Sequence, residues 1–228
     1  MRELLYYDGT EAADLPDLLC LSHQRWDERT PRSRELLSRF AGERRVIFLE
    51  PPVYQEEGAW LSIARVPPRM WVVVPFLPPG LTAEAEIAAR ASLLGALVEG
   101  LEIESYVLWY DTPAAVAFSR SLSPLAVVYD RDPPEGGYQD AALEGELTRS
   151  ADLVLSRDPG RREDGPRVYL LPPGKDERPA GGSAPRGVDA RLRVTSWDIA
   201  FRQVERLIEE AINALIARAE LASGEEQP

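Results

Sequence analysis

Short, continuous apolar runs alternate along this chain with stretches that repeat at helical spacing. The runs are Asp17–Leu21, Val46–Leu49, Met70–Val74, Tyr106–Tyr110, Leu125–Tyr129, Leu153–Leu155 and Val168–Leu171. Most show no polar alternation. A strand wetted on one face alternates every second residue, whereas a strand buried on both faces does not. Runs of this kind therefore predict a parallel sheet covered on both sides.

Helical patterns fall between many of the runs. Thr30 followed by Pro31 reads as an N-cap with proline at the first helical position, and Leu36, Leu37 and Phe40 then form one apolar face. Thr82 caps a longer pattern through about Leu101, in which Ile87, Ala91, Leu94, Val98 and Leu101 step by four and three. Pro113–Arg120 and Tyr138–Arg149 predict two shorter helices. Strand and helix in repeated alternation predict a single doubly wound, Rossmann-like α/β domain. One stretch departs from this rhythm. Trp60–Val66 reaches Met70–Val74 through only Pro67, Pro68 and Arg69, so a local hairpin is expected there.

The remainder divides in two. Residues 174–190, within the polar stretch that begins PPGKDERPAGG, are rich in Pro and Gly and read as a linker closing a domain at 1–173. A C-terminal amphipathic helix is expected within 191–222. Ser196 is its candidate cap, and Trp197, Phe201, Val204, Ile208, Ala211 and Leu215 lie on one stripe. That stripe fits either the chain's own sheet or a helix–helix dimer seam.

Composition then removes whole classes of function. Lys and Arg total 26 against 38 Asp and Glu, a formal charge of −12. Phosphate-backbone recognition needs a positive field, so a general nucleic-acid binder is not expected. Cys20 is the only cysteine and His23 the only histidine, which rules out an internal disulfide and leaves too few ligands for a Cys/His zinc site. No bound metal or cofactor is expected. The start of the chain has no apolar segment of signal-peptide type, and no stretch is long enough to span a membrane; both point to the cytoplasm.

In an open α/β sheet, ligands bind beyond the carboxyl ends of the strands. The polar residues at those ends are Ser22, His23, Arg25 and Trp26 after the first run, Glu50 after the second, Asp111 after Tyr110, and Asp130 and Asp132 after Tyr129. A lone imidazole there can act as a general base near neutral pH, with a carboxylate orienting it. Polar residues also end strands simply because chains turn there, and a single histidine can serve only to hold a loop. GxGxxG, GxxxxGK[ST] and GxSxG are all absent. Cys20 lies inside an apolar run and reads as packing.

Leu21–Asp27, reading LSHQRWD, followed by a helix and then Arg45–Pro52, reading RVIFLEPP, resembles the opening of bacterial glycosyltransferases of the GT-B fold. These belong to the retaining family that includes glycogen and sucrose synthases. Ser123–Asp130, Ala151–Ser156 and Ser196–Asp198 resemble later segments of the same family, in the same order. The departures are equally informative. A GT-B enzyme has a second, donor-binding domain, and here a Pro/Gly stretch leads from Leu171 almost directly to the final helix. The family's arginine-proline pair is changed to Thr30, Pro31 and Arg32, and Arg131–Pro134 replaces the usual residues after the Tyr129 strand.

The resemblance implies one acceptor-type domain of a sugar-transfer scaffold, closed by a C-terminal crossing helix and lacking a donor domain. His23 and Asp130 would be its catalytic residues, with His23 as base or orienter. Ser22, Arg25, Trp26, Glu50, Asp111 and Asp132 would bind ligand, Arg25 as an anion contact and the carboxylates as acceptors for sugar hydroxyls. The implied partners are a sugar, glycolipid or sugar-nucleotide, and either a second copy of the chain or a complete glycosyltransferase. Two other readings stand beside this one: a non-catalytic interaction module derived from such an enzyme, and a flavodoxin-like binder of some other small ligand.

Overall fold

The computed structural model describes residues 15–28, 31–131, 140–156, 167–170 and 196–224. The Thr30 cap, Asp132, and the linker at 174–190 lie outside the described residues.

Strand β1 (Asp17–Leu21) leads through α1 (Pro31–Glu43) to β2 (Val46–Leu49). A two-residue strand β3 (Val53–Tyr54) precedes the hairpin of β4 (Trp60–Val66) and β5 (Met70–Leu77). Helix α2 (Ala83–Gly100) crosses to β6 (Tyr106–Tyr110), and α3 (Val116–Ser119) to β7 (Ala126–Arg131). Helix α4 (Ala141–Ser150) leads to β8 (Leu153–Ser156) and β9 (Arg167–Leu170), and α5 (Ser196–Gly224) is the last element. The strands form one sheet in the order β4-β5-β2-β1-β6-β7-β8-β9, and the short β3 pairs with the end of β5 on the same side as β2. Every pairing is parallel except β4 with β5. This is the doubly wound, mostly parallel architecture expected from the uninterrupted apolar runs.

Each strand sends alternate side chains to opposite faces, and each face has its own core. Cys20, Phe48, Trp109 and Val128 pack with α1 and α5, where Leu37, Phe40, Trp197, Phe201 and Val204 are buried. Leu19, Ile47, Leu108 and Val154 pack under α2, α3 and α4, represented by Leu97, Phe118 and Leu147. Phe40 ties α1 to both partners, with its ring 5.9 Å from Trp109 and 4.9 Å from Phe201, each edge-on. Such pairs contribute about 0.5–1.5 kcal/mol beyond area burial.

Local chemistry explains most boundaries. Thr82 caps α2 by accepting from Ala85 N, and Asp140 caps α4 by accepting from Ala142 N and Leu143 N. The stretch from Pro113 opens as a 3₁₀ turn, Pro113–Ala115, before α3 begins. Helix α5 runs to Gly224, past the expected end of its apolar stripe, and residues 213–218 along it are exposed. Strand β7 continues through Asp130 and Arg131, so Asp130 lies inside a strand and not after it. Arg131 is accommodated there because Glu144 on α4 accepts from its guanidinium at 2.6 and 2.9 Å.

Helix α5 also meets α1 through charge. Arg202 reaches Glu43 at 3.0 Å, while burial and a hydrogen bond that the protonated Glu43 carboxyl donates to the neighbouring Glu205 carboxylate raise the Glu43 pKa against the pull of Arg202. A raised carboxyl favours its protonated form in the folded state. Its stabilising contribution is therefore complete below the ordinary value near 4.5 and is lost as pH rises through the folded value. Glu43→Gln, which imitates the protonated form, is expected to unfold at higher urea than the parent at pH 7. The difference should shrink towards pH 4; an equal midpoint difference at both pH values would refute this.

Candidate functional site

The sheet reverses its strand order between β1 and β6, where the chain, having built outward through β2 and β5, returns to build the other half. Neighbouring loops diverge at such a point and leave a crevice at the carboxyl edge. Beneath that edge lies an apolar layer. Phe48, Cys20, Trp109 and Val128 form one cross-strand rank, because Cys20 pairs with Phe48 and with Trp109, and Trp109 with Val128. Two residues further along each strand the side-chain direction repeats. The next rank on that face is therefore Glu50, Ser22, Asp111 and Asp130. The ladder still continues at this level, with Ser22 N donating to Leu49 O and Asp111 N to Leu21 O. All four residues are buried, from 6% exposed at Glu50 to 1% at Asp130. Four polar residues thus cap an apolar layer at the carboxyl edge of the sheet.

Two carboxylates of this rank hold the β1–α1 loop. Asp111 Oδ2 accepts from Ser22 Oγ at 2.6 Å, and Asp111 Oδ1 accepts from the His23 backbone N–H at 3.0 Å. His23 Nδ1 lies 3.1 Å from the same Oδ1, with the ring about one-third exposed. Donation from Nδ1–H to the carboxylate puts the proton-accepting lone pair on Nε2. Ser22 Oγ also accepts from Gln24 N at 2.9 Å, which closes a tight turn. Glu50 performs the corresponding task further along the loop. Its Oε2 accepts from Arg25 Nη1 at 2.8 Å and its Oε1 from Trp26 N at 2.9 Å. Arg25 Nη2 reaches Pro52 O at 3.4 Å. Charge-assisted bonds of this kind are about twice as strong as neutral ones, so the loop is rigidly set upon the rank below it.

Of the residues singled out from the sequence, Ser22, His23, Arg25, Trp26, Glu50 and Asp111 come together around this loop. Trp26 acts there as an anchor: its ring meets Phe48 edge-on at 5.3 Å. Asp130 belongs to the same rank but lies deeper, within β7. Asp132 lies outside the described residues. Arg34 reads in sequence only as a member of a local basic patch with Arg25, Arg29 and Arg32, whereas in the structure its Nη2 donates to Trp26 O at 2.9 Å and its guanidinium lies 5.7 Å from the Trp26 ring centre. Its place in a run of arginines is visible in the sequence, but its role depends on how α1 turns back along the loop. Among the described residues, no helix is long and apolar enough to cross a membrane. A cavity of about 100 Å³, lined by Leu153, Leu207, Ala211, Leu215 and Arg218, lies at the amino end of β8, on the opposite edge from the loop.

No family model matches the chain, and no curated protein matches it. Among solved structures, the chain is similar to one described as trehalose-6-phosphate from E. coli bound with UDP-2-fluoro glucose. The TM-score is 0.45 with 9% sequence identity, over 69% of this chain and 49% of that one. The chain thus spans about half the length of that protein.

Proposed function

We propose that this chain is a glycosyltransferase-like protein: one acceptor-type domain of GT-B character, whose carboxyl edge binds a sugar or sugar-nucleotide. The observation that carries this reading is the junction at the strand reversal, where Asp111 grips both Ser22 and the His23 ring while Glu50 grips Arg25. In this reading His23 Nε2 takes the proton from an acceptor hydroxyl, and Asp111 orients the ring and stabilises the imidazolium that forms. Arg25 offers guanidinium N–H groups to a phosphate alongside its bond to Glu50. Asp130 completes the polar rank beneath them. Transfer itself requires a donor site supplied by a complete glycosyltransferase or by a second copy of the chain.

A second reading is favoured by a specific observation. Both Glu50 and Asp111 already accept from the loop with each of their oxygens, the behaviour of carboxylates that hold a shape. On that reading the chain is a non-catalytic interaction module on a transferase scaffold.

Titration calorimetry with a panel of nucleoside diphosphates and nucleotide-sugars separates the two. The first reading expects heat with at least one member and affinity about tenfold or more weaker in Arg25→Ala, the loss typical of a charge-assisted contact. His23→Ala should leave melting nearly unchanged, because the ring is partly exposed, and should lower turnover about 100-fold or more in any reconstituted transfer reaction. No heat with any member of the panel leaves the interaction module.

A further inference from the structure

Strand β4 is the outermost strand on its side of the sheet, and among the described residues it pairs with β5 alone. Its neighbours determine which of its backbone groups face outward. Val46 N donates to Arg69 O, Glu50 N to Val73 O and Gln55 N to Leu77 O, so the odd-numbered residues here turn their backbone groups towards β2 and β3. Backbone groups alternate sides along a strand, so Met70, Val72, Val74 and Phe76 face β4. Their partners are Val66, Ala64, Ser62 and Trp60. Leu61, Ile63 and Arg65 therefore direct their N–H and C=O groups away from the sheet. Pro75, which has no N–H, fits this assignment because it stands opposite Leu61 in a pair that exchanges no hydrogen bonds.

Sheets usually blunt such an edge with charges, prolines or bulges. Strand β4 has one charge, Arg65, and no proline, and its register with β5 is unbroken along its length. Ile63 is 45% exposed and Trp60 39%. This is a pairing edge with little to prevent its use.

We propose that β4 pairs antiparallel with β4 of a second copy of this chain, joining the two sheets across a twofold axis at Ile63. Self-complementarity favours a second copy as the occupant. With the axis at Ile63, that residue meets the partner's Ile63, and Leu61 meets the partner's Arg65. Every outward residue of β4 then faces another outward residue, and each such pair exchanges both of its hydrogen bonds. An axis at Ser62 would leave Arg65 facing beyond the end of the strand, and one at Ala64 would set Leu61 against the partner's Pro67, which has no N–H to donate. The one charge on the strand lies against an apolar side chain and not against its own copy. Trp60 lies across from the partner's Val66, an aromatic against a β-branched residue, a favourable cross-strand pair. The chain's net charge of −12 does not oppose this contact locally, since β4 contains no acidic residue.

Sedimentation equilibrium of the full chain at micromolar concentrations is expected to show a dimer. Ile63→Asp places two carboxylates opposite each other at the axis and should weaken dimerisation by about tenfold or more, with circular dichroism unchanged. Ile63→Cys should cross-link two chains under mild oxidation, because residues opposed in a hydrogen-bonded antiparallel pair have Cα atoms about 5.5 Å apart, within disulfide reach. Leu61→Cys should not, since the two copies of that position lie about 13 Å apart along the ladder. Cys20 is fully buried, so the unmodified chain serves as the blank. A monomer throughout, a dimer unaffected by Ile63→Asp, or cross-linking of Leu61→Cys as fast as that of Ile63→Cys would each overturn the proposal. Should Ile63→Asp fail to fold, the two cysteine variants decide the matter.

Discussion

Asp111→Ala should lower the melting temperature by about 6–12 °C, the equivalent of about 3 kcal/mol for a chain of this size. The side chain is only 6% exposed and accepts from Ser22 Oγ, from the His23 N–H and from the His23 ring. Deleting it leaves a buried hydroxyl and a backbone donor without their acceptor, and such groups cost about 1–3 kcal/mol each when orphaned. The loss is smaller than the sum of those costs because Ser22 Oγ can turn its proton to Gln24 O, 3.0 Å away. Asp111→Asn should be milder, since an amide oxygen can still accept from His23 N. Ser22→Ala should cost less in the Asp111→Ala background than on its own, because its bond to Asp111 has already gone and only its contacts with Gln24 remain to be lost. Thermal unfolding followed by circular dichroism checks all three. A change of less than about 2 °C in Asp111→Ala would mean that the loop does not depend on this carboxylate.

A loss of similar or greater size is expected at the contact between α1 and α5. Arg44 is a cation with its side chain 1% exposed, and Glu205 on α5 is its buried counter-charge, 3.6 Å from Nη2. That distance is an ion pair but too long for a hydrogen bond, and Nε and Nη2 have no hydrogen-bond partner among the described residues. Burial pushes the guanidinium below its ordinary pKa, with Glu205, Glu43 and Glu209 acting in the opposite direction. The Phe40 ring lies 5.4 Å from the guanidinium and supplies a further favourable contact. Glu205→Ala removes the main compensating charge and should cost about 4 kcal/mol, or roughly 8–16 °C in melting temperature. The double variant Arg44→Met with Glu205→Leu removes both charges, keeps the volume, and should be clearly more stable than Glu205→Ala alone. Denaturant unfolding of the three proteins tests this ordering. A double variant less stable than Glu205→Ala would show that the pair contributes more than its desolvation costs.

Much of the architecture can be read directly from side-chain periodicity. The apolar runs at Leu18, Val46, Tyr106, Ala126 and Leu153 lack alternation because each strand has a helical layer on both faces. That property is local, and it leads to a parallel sheet without knowledge of any contact. The hairpin is legible from the short Pro67–Arg69 connection, and the α2 start from Thr82, because a turn and a cap are each decided within a few residues. Strand β3 is not legible. Two residues cannot show a period, and Val53 and Tyr54 are extended because Phe76 and Leu77 lie beside them. Asp130 reads in sequence as a residue after its strand, whereas it belongs to β7. A charge near the end of an apolar run ordinarily signals a turn, but Glu144 on α4 neutralises Arg131 and lets the strand continue.

The candidate site divides in the same way. That Ser22, His23, Glu50 and Asp111 lie at one end of the sheet follows from their positions after parallel strands, and so was determined by sequence alone. Their hydrogen bonds are another matter. Glu50 meets Arg25 and Trp26 across about one β-α-β unit, whereas Asp111 meets Ser22 and His23 across most of the first half of the chain. That second pairing exists only because β6 settles against the free side of β1, reversing the strand order there. Strand order is a result of how the helices distribute over the two faces, a collective packing outcome that no local window contains. The same is true of Arg44 and Glu205. Each looks like an ordinary surface charge in sequence, and only the docking of α5 on α1 removes both from water and makes each necessary to the other.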